Sequence, residues 1–363
     1  MKAIALLGRP DEPTDGVADY CNFLGLALRR RSVQLEIVRV PWDVRGWAEA
    51  MRWLSHESRR WSGQWVMIQY TALAWSRRGF PIRVPQVLTL LRRNGVRCAV
   101  VFHDAQVYEG ARLRDAFRQK IQRWTMRRLL AGAEHSIFTL PLKSATWLPE
   151  ASSRATFVPV GAGVPEFARE RSLSTSGVPK TVGVFCVTGG NYRTKEVRDI
   201  LYVAEHAKTR VPGLRFEIFG RGAQEAGLDL EGPLRRLGLE CRIRGVLPAE
   251  EITRTLQSVD VLLCARGEMT TNRSSAIVAI ACGVPIVAFG ERGRVKELDA
   301  AGIEFASCGS LDAFADATVR VLTDGALWQT LHERSRRALA ECFSWDAIAG
   351  RYAHLLGASD VER

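Results

Sequence analysis

The sequence has no long apolar run and no closely spaced cysteines. No apolar stretch reaches the ~18 residues that a membrane-spanning helix needs. The start, MKAIALLGRP, meets Gly, Arg and Pro before a signal-peptide core is complete. The eight cysteines form no CxxC pair and mostly lie in apolar segments such as RCAVVFH, which indicates buried thiols in a reducing compartment. We therefore expect a cytoplasmic protein without a membrane-spanning helix, a disulfide framework or a zinc site.

Short-period repeats and low-complexity tracts are also absent, and the composition excludes disordered and collagen-like classes. With 47% hydrophobic and 25% charged residues, the 363-residue chain is long enough for two globular domains. Its net charge of +12 is uneven, because residues 1–165 hold 25 Lys and Arg against 13 Asp and Glu, whereas the remainder holds 26 of each. Such a field attracts an anionic ligand, an anionic membrane surface or nucleic acid, and the charge alone does not choose among them.

Short apolar runs alternate with helix-like stretches along the chain. In the first half these runs are KAIALLG, VQLEIVRV, WVMIQY, VRCAVVFHD, SIFTL and ATFVPVG, and in the second half TVGVFCV, LRFEIFG, CRIRGV, VDVLLCA and VPIVAFG. The alternation predicts an α/β fold with two Rossmann-like, doubly wound parallel sheets. The polar, Ser-rich stretch 166–180 predicts a domain boundary, with an N-terminal domain at 1–165 and a C-terminal domain at 166–343. A last helix pair is predicted from Leu311 onward.

The most informative loop follows the run VDVLLCA. Ligands bind beyond the carboxyl ends of strands in open parallel sheets, and here a polar loop leads into a small-residue helix from about Ser274 to Cys282. Arg273, Ser274 and Ser275 place a guanidinium, two hydroxyls and free backbone amides at the start of that helix, which predicts a diphosphate site. The alternative is that this segment only caps a buried helix.

A second loop, in VFCVTGGNYRTKEVRDIL, carries two cations. The strand ends in Gly189 and Gly190, and Arg193 and Lys195 follow before a predicted helix. Cations at this edge of the sheet would neutralise a departing diphosphate. The alternative is a pair of solvated surface cations beside a turn.

The segment ACGVPIVAFG, together with the strand order, resembles the retaining GT-B glycosyltransferases of the family-4 kind. The family's two glutamates, eight positions apart, fall here on Thr270 and Val278. One subgroup has an Arg-Gly-Ser run where this chain has Arg273-Ser274-Ser275. Glu268, two residues before the first expected glutamate, is the candidate carboxylate for the donor sugar if the loop is remodelled, and the alternative is a solvated loop glutamate.

The resemblance implies further donor-binding residues in the second half. The run FEIFGRGAQ resembles the family's strand that ends in Gly-x-Gly, with Gly220 and Gly222 allowing close backbone approach. The run RGVLPAEEI resembles the loop that receives the nucleotide base between Gly245 and Pro248, which places Leu247 at the base. The alternative for each of these two segments is an ordinary turn.

In the first half, DGVADY resembles the family's glycine loop over the diphosphate and sugar, with Gly16 as the glycine. Asp19 is the candidate carboxylate that orients the acceptor, and its alternative role is favourable charge at a helix start. In VVFHD, His103 corresponds to the family's His that contacts the donor sugar.

The resemblance implies a GT-B fold, with two domains facing across a cleft and a C-terminal helix at about 344–358 packing back on the N-terminal domain. The implied activity is transfer of a hexosyl group from a UDP- or GDP-linked sugar to an acceptor, with retention of configuration. Such enzymes use neither a metal nor another cofactor, and this sequence contains no DxD motif. The acceptor, whether a small molecule, a glycan or a lipid-linked molecule, follows no motif.

Two other classes of function stay open. Because the glutamates are missing at Thr270 and Val278, a protein that binds a nucleotide sugar without turnover is one of them. The other, a nucleic-acid-binding protein, rests on the basic stretch from Arg112 to Leu130, which is predicted to be a helix. The basic residues of this stretch are Arg112, Arg114, Arg118, Lys120, Arg123, Arg127 and Arg128. Packing on the sheet and docking on the inner face of an anionic membrane are its other interpretations, and no nucleic-acid motif accompanies it.

Overall fold

The computed structural model describes residues 1–11, 15–108, 110, 112–149, 152–164 and 178–358, with the backbone alone at 191. Two compact units divide the chain, one formed by Met1–Val160 with Trp345–Arg363 and the other by Gly161–Ser344. Each unit holds one parallel sheet with flanking helices, so the predicted α/β fold with two parallel-sheet domains is confirmed. The predicted boundary at 165–166 and the linker residues 166–177 lie outside the described residues.

Each of the two sheets has six strands, and neighbouring strands are parallel. The strands of the first unit are β1 (Lys2–Leu7), β2 (Gln34–Arg39), β3 (Trp65–Tyr70), β4 (Arg97–Phe102), β5 (His135–Phe138) and β6 (Ala155–Phe157). Those of the second unit are β7 (Thr181–Phe185), β8 (Arg215–Phe219), β9 (Glu240–Ile243), β10 (Val261–Glu268), β11 (Ile286–Phe289) and β12 (Ile303–Ala306). Their orders are β2-β1-β3-β4-β5-β6 and β12-β11-β10-β7-β8-β9, and the paired strands run parallel.

The helices run between these strands and after the last one. They are α1 (Gly16–Arg29), α2 (Trp42–Glu57), α3 (Val84–Arg93), α4 (Leu113–Gly132), α5 (Asn191–Ala207), α6 (Ala223–Arg236), α7 (Ala249–Gln257), α8 (Ser274–Ala281), α9 (Lys296–Ala300), α10 (Leu311–Thr323), α11 (Gly325–Ala338) and α12 (Trp345–Leu355). Of the helices in the described ranges, none is long and apolar enough to cross a membrane.

The first sheet is buried on both faces, which is why its strands read as continuous apolar runs. All six residues of β3 are buried. Side chains alternate across a strand, and accordingly Val66 and Ile68 join one apolar core while Trp65 and Met67 join the core on the opposite face.

In the second unit, α8 lies within the core. Each residue from Ala276 to Ala281 is buried, and the small side chains let this helix pack closely on β10 and β11. Gly283 ends the helix with a φ of 66°, a left-handed conformation that glycine adopts without steric cost. The predicted helix from Ser274, with Gly283 at its end, therefore matches the structure.

Three elements differ from the sequence prediction. The helix α2 was not predicted, and a kink at Gly46, with a φ of 75°, interrupts its helical pattern. The strand β12 was also missed, and its apolar run is interrupted by the charged, half-buried Glu304. The C-terminal segment from Leu311 contains α10, α11 and α12 rather than a helix pair.

The last helix, α12, packs on α1 within the first unit. The hydroxyl oxygens of Tyr20 and Tyr352 lie 2.8 Å apart in a buried hydrogen bond. The Trp345 ring stacks on Phe23 with ring centres 5.7 Å apart. Aromatic packing and one satisfied polar pair therefore hold the C-terminal helix against the helix that follows β1.

Candidate functional site

The N-terminus of α8 carries a cation whose hydrogen-bond donors have only some of their partners. Arg273 is the residue that precedes the helix. Its Nη2 donates to the backbone carbonyl oxygens of Arg266 and Glu268, at 3.1 Å from the second. Its Nη1 is buried and has no hydrogen-bond partner among the described residues. An unsatisfied buried donor on a charged group is costly, so this atom indicates where an anion would bind.

The surroundings of Arg273 reinforce the positive potential. Burial lowers the pKa of Arg273, but a guanidinium stays charged in proteins. Ser274 is exposed and Ser275 half-buried at the first two positions of α8, and the amides of these positions take no part in the helix's internal hydrogen bonds. The Arg273 guanidinium and the helix N-terminus thus lie together at the carboxyl end of β10, as the sequence predicted.

A buried carboxylate that the sequence prediction missed lies on α5. Glu196 is 4% exposed, and its Oε2 accepts a hydrogen bond of 3.2 Å from the backbone N–H of Thr188. Within the part of the chain that the structure describes, Oε1 of Glu196 and Oγ1 of Thr188 are buried without a partner. The signal was available in the sequence, because Glu196 shares a helical stripe with the buried Ile200 and Val203.

Arg193 and Lys195 were predicted to precede a helix, and this placement is wrong. The helix α5 begins two residues before Arg193, so both cations lie on its first turns and point in different directions. The Lys195 Nζ lies 5.4 Å from the ring centre of Phe289, at the end of β11, and 3.1 Å from Oδ2 of Asp199. Arg193 turns toward α6, where its Nε lies 3.5 Å from Oδ2 of Asp229. Lys195 therefore remains at the edge of the sheet and Arg193 does not.

The glycines of the second unit fall into two groups. Gly220 and Gly222 have φ angles of 89° and 75°, and a Cβ at Gly222 would lie 2.1 Å from the carbonyl oxygen of Val187. These two glycines let the loop after β8 pack against the loop after β7. Gly189 and Gly190 differ, because a Cβ at either would meet no atom within 4 Å. Among the described residues, Gly189 and Gly190 therefore border open space at the exposed end of β7.

Glu268 and Leu247 have protein partners. Glu268 is the last residue of β10 rather than part of the following loop, and its Oε1 lies 2.6 Å from Nη1 of Arg294. Leu247 is half-buried and packs against the core around α8. Val278, where the resembled family has its second glutamate, is buried in the same core. This position therefore offers no polar atom.

In the first unit, His103 lies at the carboxyl end of β4. Its Nε2 lies 2.8 Å from Oε1 of Gln69, and its ring meets the Tyr20 ring edge-on at 5.0 Å. Burial lowers the pKa of His103 to about 4, so the ring is neutral at pH 7. The Gln69 Nε2 donates to a backbone carbonyl, which makes Oε1 the acceptor and assigns the proton to His103 Nε2. The Nδ1 atom is then available to accept a hydrogen bond from a hydroxyl.

The start of α1 gathers carboxylates near the end of β1. Asp15 caps the helix by accepting from two backbone amides at 3.2 Å and 3.0 Å, and its Oδ2 lies 2.5 Å from Nη2 of Arg39. Asp19 is exposed, and burial followed by the charge of Asp15 raises its pKa. A Cβ on Gly16 would meet no atom within 4 Å. Asp15 interacts with this end of the sheet through Arg39 at the end of β2, and its charge also acts on His103.

The helix α4 presents an unusual outward face. Leu113, Phe117 and Trp124 are 93%, 60% and 43% exposed, and their spacing places them on one side of the helix. Cations interleave with them on that side, including Lys120, Arg123 and Arg127, and a shallow cavity of about 300 Å³ lies between these side chains. The opposite side packs on α3 and joins the apolar core of the first unit, and its buried residues are Gln122, Thr125, Met126, Leu129 and Leu130. Both the packing role and an outward basic, apolar surface are therefore present in one helix.

The second unit matches a protein family in sequence. Residues 182–324 match the family model described as "Glycosyl transferases group 1". This range contains Thr188, Glu196 and Arg273. No curated protein sequence matches the chain.

The whole chain is similar to several solved structures. HepE from Anabaena, in complex with UDP and glucose, has 13% identity and a TM-score of 0.68, covering 99% of this chain and 100% of that one. Sucrose-phosphate synthase from Thermosynechococcus elongatus has 18% identity and a TM-score of 0.69, with the same coverage. A glycosyltransferase from Rickettsia africae has 13% identity and a TM-score of 0.68, covering 99% of both chains. The chain therefore has the GT-B fold, and its segment 182–324 is similar to the glycosyl transferases of group 1.

Proposed function

We propose that the protein is a glycosyltransferase that moves a hexosyl group from a nucleoside-diphosphate sugar to an acceptor. The observation that carries this proposal is the buried, unpartnered Nη1 of Arg273 at the N-terminus of α8. It lies in the segment similar to the glycosyl transferases of group 1. The similar HepE structure, which holds UDP and glucose, supports a UDP-linked donor, and a GDP-linked donor is the alternative.

In this proposal the residues stabilise negative charge and form no covalent bond with the substrate. Cleavage of the glycosidic bond to the diphosphate leaves negative charge on the leaving group. Arg273 and the first amides of α8 stabilise that charge, and Lys195 adds a second cation at the same edge of the sheet. These groups make transfer independent of a divalent ion, and retention of configuration follows from the family-4 resemblance. His103 and Asp19 of the first unit are the candidates to bind hydroxyl groups of a substrate at the carboxyl end of the first sheet.

Nucleotide binding is tested by thermal unfolding with UDP, GDP, ADP, CDP and dTDP, each with magnesium or with EDTA. One nucleotide at 100 times its dissociation constant is expected to add about 2.7 kcal/mol to the free energy of unfolding, which raises the melting temperature by roughly 5–10 °C. The rise should be the same in EDTA. If no nucleotide raises the melting temperature, the protein has no donor site and the proposal fails.

Binding without turnover is the second candidate, favoured by the burial of Val278 where the family has a glutamate. The same protein with the matching nucleotide sugar distinguishes the two. Release of nucleoside diphosphate that depends on added acceptors supports transfer. A strong melting rise without any release across glycan, small-molecule and lipid acceptors supports the binding protein.

We further propose that α4 docks on an anionic membrane surface. Leu113, Phe117 and Trp124 would enter the headgroup region, while Lys120, Arg123 and Arg127 meet anionic lipid. In the portion of the chain that the structure places, these three cations have no carboxylate within 4.0 Å. Their charge therefore remains available for lipid. A docked enzyme would then reach a lipid-linked acceptor.

The double variant Arg123→Glu, Arg127→Glu is expected to lower binding to vesicles of phosphatidylglycerol and phosphatidylcholine by about 30-fold or more. Each basic residue near an anionic surface contributes about 1 kcal/mol. The matched control is Arg336→Glu, Arg337→Glu, which changes the net charge equally on the exposed side of α11. Cosedimentation with vesicles measures both. Equal losses in the two variants, or wild-type binding to duplex DNA in place of vesicles, would contradict membrane docking by α4.

A further inference from the structure

Two buried polar groups, Thr188 on the loop after β7 and Glu196 on α5, lie together near Arg273. The Oε1 of Glu196 and the Oγ1 of Thr188 are buried, and neither has a hydrogen-bond partner within the described ranges. Buried polar atoms in native proteins are nearly always hydrogen-bonded. Here two such atoms lie together, because Glu196 Oε2 accepts from the Thr188 N–H, and one of them is on a side chain that is 4% exposed. A ligand at this place would supply the missing partners.

The geometry separates this carboxylate from the nearby cation. β7 and β10 are neighbours in the sheet, and the charges of Glu196 and Arg273 act on each other. They form no ion pair within 4.0 Å among the residues with described side chains. The acceptor on Glu196 and the donor on Arg273 thus both lack a hydrogen-bond partner within the described part of the chain, while their charges interact. A ligand with an anionic group and nearby hydroxyls would satisfy both.

The backbone next to Glu196 leaves space for such a ligand. Gly189 and Gly190 follow Thr188 directly, and no atom lies within 4 Å of where their side chains would be. The carboxylate itself is held in place, because its Oε2 accepts the backbone N–H of Thr188 at 3.2 Å. A fixed oxygen beside open space is a pre-organised acceptor for a hydroxyl.

We propose that Glu196 and Thr188 form a subsite for a pair of neighbouring hydroxyl groups, and that Arg273 binds the diphosphate of the same ligand. The proposal rests on the nucleoside-diphosphate site proposed above and adds a specificity-determining residue to it. The carboxylate on α5 takes the place of the one that is absent at Val278. The hydroxyls belong either to the ribose or to the transferred sugar, and the two sources are separated by experiment.

The variant Glu196→Gln tests the subsite while preserving the volume of the side chain and an oxygen for the Thr188 N–H. Calorimetry compares UDP with 2′,3′-dideoxy-UDP, GDP with 2′,3′-dideoxy-GDP, and UDP with UDP-glucose. If the ribose is the ligand, the wild type prefers the ribose form over the dideoxy form by about 10- to 100-fold, and Glu196→Gln loses most of that preference. If the sugar is the ligand, the variant instead loses affinity for UDP-glucose relative to UDP.

Two further variants keep the result interpretable. Thr188→Val removes the hydroxyl but keeps the backbone N–H, and it is expected to lower the same preference by about 3- to 10-fold. Glu205→Gln, on the exposed side of α5, is expected to leave every ratio unchanged. Unchanged ratios in both Glu196→Gln and Thr188→Val, in a wild type that binds nucleotide, overturn the subsite alone. A wild type that binds none of the nucleotides overturns the proposed function instead.

Discussion

Arg273→Ala is expected to lower the affinity for the nucleoside diphosphate by about 10- to 100-fold and kcat/KM for transfer by about 10²- to 10³-fold. The guanidinium supplies a full charge, and its buried Nη1 has no oxygen acceptor among the described residues, with the neutral Cys264 thiol as its neighbour. Its effect exceeds that of an exposed cation because burial excludes the water that would screen it. The loss in kcat/KM should exceed the loss in affinity, since the negative charge on the diphosphate grows as the glycosidic bond breaks.

The control for this variant is an arginine of the same unit that turns away from the sheet edge toward α6. Arg193→Ala removes a cation that is paired with Asp229 on the surface, and we expect less than about a twofold change. Arg273→Gln separates binding from loop structure, because its amide still donates to the carbonyl of Arg266 or Glu268 while the charge is lost. If Arg193→Ala and Arg273→Ala lower affinity equally, the diphosphate does not bind at the N-terminus of α8.

Much of the fold could be predicted because burial determines which positions of the sequence are apolar. Parallel strands covered on both faces become uninterrupted apolar runs such as WVMIQY, which forms β3. The short strand β12 carries Glu304 and lacks that signal. In α2, Gly46 interrupts the helical pattern at a kink, so the sequence lacked the signal of a continuous helix. Elements were therefore missed where a charge or a glycine interrupts the pattern that burial imposes.

The candidate site was predictable only where its signal is local. Arg273, Ser274 and Ser275 sit at a helix start whose position follows from small apolar residues and a final glycine, so their placement could be inferred. The beginning of α5 has no side-chain cap, and its N-cap is Gly190. The sequence therefore did not show that Arg193 lies inside the helix. The role of Glu196 depends on which face of α5 packs inward, which a list of charged residues does not reveal.

The glycines are also hard to interpret from the sequence alone, because the sequence does not reveal which atoms lie next to each glycine. Gly222→Ala is expected to lower the free energy of unfolding by about 2–4 kcal/mol. The new Cβ would lie 2.1 Å from the carbonyl oxygen of Val187, and the residue would hold a φ of 75° that alanine adopts only at a cost. Differential scanning calorimetry should show a melting temperature lower by roughly 5–15 °C.

Gly189→Ala is the matched variant, and the opposite result is expected from it. Its Cβ meets no atom within 4 Å, so the melting temperature without ligand should stay within about 2 °C of the wild type. If the ligand occupies the space beside Thr188 and Glu196, the added methyl group blocks it, and nucleotide affinity should fall by about 10-fold or more. A destabilised Gly189→Ala, or one that binds nucleotide as the wild type does, would show that this space is not where the ligand lies. The two variants together would distinguish Gly222, which lets two loops pack closely, from Gly189, which leaves space for the substrate.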